Sequence, residues 1–245
     1  MMKSSIFRVN FDDNVKEYNK VDGILAIAYL LYMVAFLVLS GLFLFRSSWG
    51  NQLFSWIKTI PISKILLYIP FVLIEAGPVF IILKCRKQSL KSIGLKKEKI
   101  LKCILLGVLF AVLPTLWNMS ALKFGNLLNL PDALLTFVYL FFEIAFVEEV
   151  IFRGFIQTRI QGLIRSKWFS IILVGLMFSL MHIPFYAVEY NVSFAQRFQS
   201  DILHLAICFL MHIYYVYLYT RDNNILAPVV AHALVDFIPD LFSGM

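Results

Sequence analysis

The sequence predicts an all-α, polytopic transmembrane helical bundle, and three observations carry that expectation. Of 245 residues, 60% are hydrophobic and only 15% charged, against about 25% charged in a soluble domain. The mean hydropathy is +0.81. Seven apolar runs make up most of the chain, each near or above the ~20 residues that a helix rising about 1.5 Å per residue needs to cross about 30 Å of hydrocarbon.

In order, the runs are Val21 to Phe45, Ile62 to Leu83, Ile100 to Leu122, Ala133 to about Gln161, Trp168 to Tyr186, Asp201 to Thr220, and Ile225 to Phe242. An eighth apolar piece, Leu53 to Ile60, is short, broken by Lys58 and followed by Pro61, which suits an interfacial or re-entrant element. Residues 1–20 hold Lys3, Arg8, Asp12, Asp13, Lys16, Glu17 and Lys20 and read as a polar N-terminal arm. The run behind that arm is too long for the apolar core of a cleaved signal peptide. Residues 21–245 then form a single membrane domain, with its polar motifs confined to 133–242.

Basic residues set the orientation. The segment 84–99 contains Lys84, Arg86, Lys87, Lys91, Lys96, Lys97 and Lys99, and by the positive-inside rule it is cytoplasmic. Two runs precede it, so the N-terminus is also inside and the connection Arg159 to Lys167 follows on the same side. Of the 22 basic residues, all but Arg46, Lys58, Lys64, Lys123 and Arg197 fall on that face. The net charge of +7 thus sits where anionic headgroups attract it, and the expected partner is the lipid bilayer, with no nucleic acid. Cys85, Cys103 and Cys208 form no CxxC pair, which argues against structural disulfides.

Polar residues inside the runs are the informative exceptions. Glu148 and Glu149, followed by Arg153, lie where each charge costs roughly 2.5–3.5 kcal/mol on insertion scales. Glu149 and Arg153 are four apart in the favourable order for a helical ion pair. Glu148 is then left without that partner and points elsewhere, as a general base in a wet cavity would. The bland alternative is a charge cluster where the helix emerges among headgroups. A third acid, Glu143, weighs against it and reads as cavity-facing.

All four histidines fall in the runs. His182 closes the string Phe178 to His182 and precedes Pro184, which can bend or end a helix. His232 and Asp236 are four apart, so the carboxylate can take the proton of one ring nitrogen and fix the tautomer of the other. His204, Cys208 and His212 follow one another at i, i+4 and i+8; one helix cannot wrap a metal with groups so strung out, and interior packing is expected of them.

With these residues in view, EEVIFR at 148–153 resembles the EExxxR motif of the CPBP superfamily of CAAX-processing and bacteriocin-immunity proteases, also called Abi proteins. Phe178 and His182 match its FxxxH motif, and His232 with Asp236 its third motif, a histidine followed four residues later by Asn or Asp. The resemblance spans about 100 residues, in family order, and extends to the type II CAAX prenyl endopeptidase. It implies an intramembrane peptidase whose site opens to the cytoplasmic leaflet, in which Glu148 activates water with help from His182. It further implies that Glu149 and Arg153 brace the helix and that His232 with residue 236 stabilises the oxyanion. The substrate would be a membrane-associated peptide or protein, and the lysine-, isoleucine- and asparagine-rich style of the chain suggests a bacterial cell membrane as the setting.

The chemistry itself leaves two routes open. Peptide hydrolysis needs an activated water, an oxyanion donor and an acid for the leaving amine, which Glu148, His182 and His232 can supply. In a metal version the same three would ligate Zn²⁺ with one position open. Position 236 holds Asp where Asn is commoner, and an ionised aspartate cannot donate to an oxyanion; Asp236 is expected to orient His232. From a different class, a non-catalytic immunity protein or a proton-coupled transporter would also bury acids, although the inverted repeats and matched helix breaks of transporters are not evident.

Overall fold

The computed structural model describes residues 8–59, 61–120 and 127–242, the side chains of 57–68 and of 120 excepted. Expectations on Lys3, Lys58, Ile60, Leu122 and Lys123 therefore lie outside what is described. Among the described residues every regular element is helical. Four stretches are long and apolar enough to cross a membrane: Lys20–Arg46, Ile100–Met119, Lys167–Tyr190 and Ile202–Asp222.

Helix α1 (Lys20–Arg46) starts where the Asn19 side chain accepts from the backbone of Asp22 while Asp22 accepts from Asn19 N at 3.0 Å, a reciprocal cap. Asp22 also takes Arg86 Nε at 3.0 Å and Gln88 Nε2 at 2.9 Å, so it ties α1 to the far end of α3 (Pro61–Cys85). Between them, α2 (Ser48–Thr59) is the eighth apolar piece. Helix α4 (Ile100–Ser120) lies along the last helix.

Residues 130–164 form one unbroken helix, α5, through the centre of the bundle. Its regular turns are interrupted twice by π-helical segments, Leu140–Ala145 and Val150–Ile156. It continues past Arg153 to Ile164 and ends at Arg165 in a left-handed conformation, φ 61°. Arg159 is consequently not in a connecting loop. It is fully buried in the helix and donates to Ser92 O at 3.1 Å and to Gln88 Oε1 at 2.7 Å.

The chain then turns back as α6 (Lys167–Leu180), breaks at Met181 and His182 ahead of Pro184, and resumes as α7 (Ile183–Tyr190). After α8 (Phe194–Ser200) come α9 (Ile202–Asp222) and α10 (Leu226–Leu241). With 16 residues, α10 rises only about 24 Å. It sits close to α4 because Gly107 has no side chain: a Cβ there would come within 2.8 Å of Ala227 O.

Prolines inside these helices each deprive a carbonyl four residues back of its amide, a serious loss where no water can substitute. In three cases a side chain from another helix supplies the missing donor. Tyr32 Oη donates to Ile74 O, opposite Pro78, at 2.7 Å. Tyr214 Oη donates to Phe110 O, opposite Pro114. Asn118 Nδ2 reaches Val235 O, opposite Pro239, at 3.4 Å.

The described part of the N-terminal arm is docked rather than trailing. Val9, Val15 and Tyr18 are buried, Lys167 Nζ donates to Val9 O at 2.9 Å, and Lys96 pairs with Asp12. Arm, 84–99 segment and the ends of α5 and α9 thus make one basic end of the bundle. The opposite end holds Arg46, α7 and α8, with Arg46 bonded to Val188 O at 2.5 Å.

Candidate active site

The regular turn Phe146–Glu149 lies between the two π segments and presents both glutamates. Each π segment bonds i to i+5 and inserts a residue into the helical register, so the acids and Arg153 do not follow the even 3.6-residue spacing assumed from the sequence. Glu149 and Arg153 do pair, Oε1 to Nη1 at 3.0 Å, both with no exposed side-chain surface. The guanidinium lies between two rings, 4.2 Å from the centre of Phe178 and 5.0 Å from that of Tyr215, a desolvated cation–π arrangement.

Glu149 has a second partner. His232 Nδ1 is 2.9 Å from the same Oε1. The other ring nitrogen, Nε2, faces Asp236 Oδ2 at 3.3 Å and Glu148 Oε2 at 4.0 Å. The imidazole stacks on Tyr215, centroids 5.0 Å apart and planes 20° from parallel. Asp236 thus faces one ring nitrogen of His232, as the i, i+4 spacing allows, and Glu149, approaching from another helix, holds the other.

His182 stands at the break between α6 and α7. Its own amide has shifted to Ser179 O, which frees Phe178 O, and the side-chain Nδ1 takes that carbonyl at 3.0 Å. A carbonyl only accepts, so Nδ1 carries the proton and Nε2 of the neutral ring keeps its lone pair. Phe178 meets the ring edge-on at 5.1 Å. The FxxxH pair is thus a turn that fixes one tautomer.

Glu148, Glu143 and His182 line one cavity of about 300 Å³ together with many apolar side chains such as Phe71, Val147 and Met181. A further acid in its wall, Glu75 of α3, was passed over in the sequence. Its signal was the same one that marks Glu148, a lone carboxylate inside the apolar run Ile62 to Leu83. The cavity is bounded by the later half of α1, the earlier half of α3 and the α6–α7 break, and so lies in the half of the bundle away from the basic end.

Of the three residues considered for zinc, Glu148, His182 and His232, the second imidazole stands 4.0 Å from the carboxylate, and His182 lines the same cavity as Glu148. Among the described residues, the three-membered group whose ligand atoms all lie within 4.8 Å is His182, His204 and Cys208. Of the residues expected to pack inside, His212 is fully buried and bonded to Gln157 Oε1 at 3.1 Å, and Cys208 is buried. His204 is exposed, since α9 starts only two residues before it, at the bundle surface.

The family model described as Type II CAAX prenyl endopeptidase Rce1-like matches residues 130–238, the stretch that contains both glutamates, Arg153, His182, His232 and Asp236. No curated protein matches the chain, and no solved structure matches it.

Proposed function

We propose that the protein is an intramembrane endopeptidase that hydrolyses membrane-associated peptides through Glu148 and His182 without a metal, a reading supported by the match of residues 130–238 to the Rce1-like family model. The observation that carries this reading is that a carboxylate and a histidine with a free Nε2 lone pair, both half-buried, line the same cavity, with a second imidazole 4.0 Å from that carboxylate.

In this reading, Glu148 takes a proton from a water whose second hydrogen is accepted by His182 Nε2. The oxygen attacks the peptide carbonyl carbon, and the carbonyl oxygen gains the electron pair and a hydrogen bond from Nε2–H of a doubly protonated His232, whose Nδ1–H is held by Glu149. Glu148 then passes its proton to the leaving nitrogen as the C–N bond breaks. Glu149 positions His232, Arg153 neutralises Glu149, and Asp236 tunes the same Nε2 from its other side.

The cavity's placement supports substrates drawn from the face opposite the basic end, such as exported peptides or the outer ends of membrane proteins. Processing of such peptides and self-immunity to a bacteriocin are both compatible with it, and prenylation is not required. The test is cleavage of a peptide library by the purified full chain in lipid nanodiscs, wild type beside Glu148→Gln. The substitution is expected to lower the rate by about 10²–10⁴-fold, the contribution of one general base. Equal cleavage by both proteins would remove the peptidase reading and favour a non-catalytic membrane role.

A further inference from the structure

Outside the carboxylate and imidazole set, two side chains of α9 face His182. Cys208 Sγ is 3.5 Å from His204 Nε2, the rings of His182 and His204 are 5.5 Å apart, and one ligand atom from each of the three falls within 4.8 Å of the others. A tetrahedral zinc ion, with bonds of about 2.05 Å to nitrogen and 2.3 Å to sulfur, holds those two atoms about 3.6 Å apart. The Cys208–His204 pair already has that separation. His182 stands beside that pair, within the same 4.8 Å.

The surroundings of the three groups agree with this use. His182 donates Nδ1–H to the Phe178 carbonyl, the outer bond that metal-ligating histidines make to present Nε2. Cys208 is buried and adds a soft donor, while His204 is exposed and leaves a route for entry. A single helix does not form the site; α9 supplies two ligands at i and i+4, and the α6–α7 break supplies the third.

We propose that His182, His204 and Cys208 bind a zinc-class divalent cation, and that its binding shuts off cleavage by withdrawing His182 Nε2 from the water beside Glu148. On binding, the Cys208 thiol releases one proton to solvent and its thiolate joins the ion. The ion-binding half stands by itself; the inhibitory half rests on the peptidase reading above.

The test uses the purified full chain, stripped of metal with EDTA and titrated with Co²⁺. A tetrahedral visible spectrum with a thiolate-to-cobalt charge-transfer band is expected in the wild type, and the charge-transfer band is lost in Cys208→Ser and in Cys208→Ala. His204→Asn should weaken Co²⁺ binding by at least the roughly 10–100-fold that loss of an outer-shell partner causes. Saturating Zn²⁺ should lower wild-type cleavage by about 100-fold, reversibly with EDTA, in line with removal of one acid–base partner. The same Zn²⁺ concentration should leave Cys208→Ser at its own metal-free rate. Absence of the charge-transfer band, or its persistence in both cysteine variants, overturns the site. Unchanged or faster cleavage with Co²⁺ or Zn²⁺ bound overturns the switch. A protein that cleaves nothing when metal-free overturns the peptidase reading together with the switch, while the cobalt spectrum still decides the site.

Discussion

Glu149 Oε1 lies 3.0 Å from Arg153 Nη1 and 2.9 Å from His232 Nδ1, so one carboxylate oxygen joins a cation on its own helix to an imidazole on α10. The carboxylate that neutralises the arginine is thereby also the group that orients the histidine. Two motifs 83 residues apart act as one unit, and Glu148 beside them stays turned toward the cavity.

Removing the charge of Glu149 leaves Arg153 buried against two rings with no counterion. Glu149→Gln is expected to lower stability by about 3–5 kcal/mol, the usual result of breaking a buried pair from one side. Thermal unfolding in detergent is the measurement, and a shift no larger than that of a lipid-facing substitution such as Leu109→Ala would contradict the pairing.

Asp236 is the milder position. Since Glu149 holds Nδ1, Asp236→Asn should keep cleavage within about tenfold of wild type, a barrier change of ~1.4 kcal/mol. A folded Asp236→Asn protein as inactive as Glu148→Gln would assign Asp236 a direct part in the chemistry.

Glu75, Glu143 and Glu148 place three acids in one apolar cavity. Wild-type protein is expected to prefer peptides with lysine near the scissile bond over otherwise identical ones with norleucine, and Glu75→Gln should shrink that preference by about tenfold, ~1.4 kcal/mol. The kcat/KM ratio of the two peptides reports it; an unaltered ratio rules out a role for Glu75 in selection.

The hydroxyl of Tyr214 serves the carbonyl that Pro114 leaves without an amide. Tyr214→Phe should therefore destabilise by about 1–3 kcal/mol, the range for an orphaned buried acceptor, whereas in a Pro114→Ala background the same change should be nearly silent, because the alanine amide restores the helical bond. Additive effects in the double variant would show that the pairing is incidental.

The cavity side can be checked in whole cells. In a Cys85→Ser background, a membrane-impermeant maleimide is expected to label Val192→Cys, near the cavity end, and to spare Leu90→Cys at the basic end. The reverse pattern would put the cavity on the cytoplasmic face.

Some of this was legible from residue order alone. Apolar runs longer than a bilayer needs, and the clustering of lysine at 84–99, follow from transfer free energy and surface charge, which are local properties of composition. The i, i+4 ion pair of Glu149 and Arg153 is likewise local, set by helical geometry that the π segments bend without breaking. Even the kink at His182 was signalled by Pro184. Glu75 carried a readable signal, a lone acid in an apolar run, yet no neighbouring motif drew attention to it.

What residue order could not settle was every relation between helices. Which carboxylate holds His232, which end of the bundle contains the cavity, and which histidines converge with Cys208 depend on how α3, α5, α6, α9 and α10 rotate and slide against one another. Those choices are made by packing, by the extra residues in the two π segments and by the side chains that cap proline-freed carbonyls. By itself, then, the amino-acid order determined a membrane-embedded α-helical chain with acids and histidines too expensive to leave facing lipid. Only the tertiary structure decided their partners, because hydrogen bonds between distant segments form when interhelical packing brings them within reach, and periodicity along one helix carries no information about its neighbour.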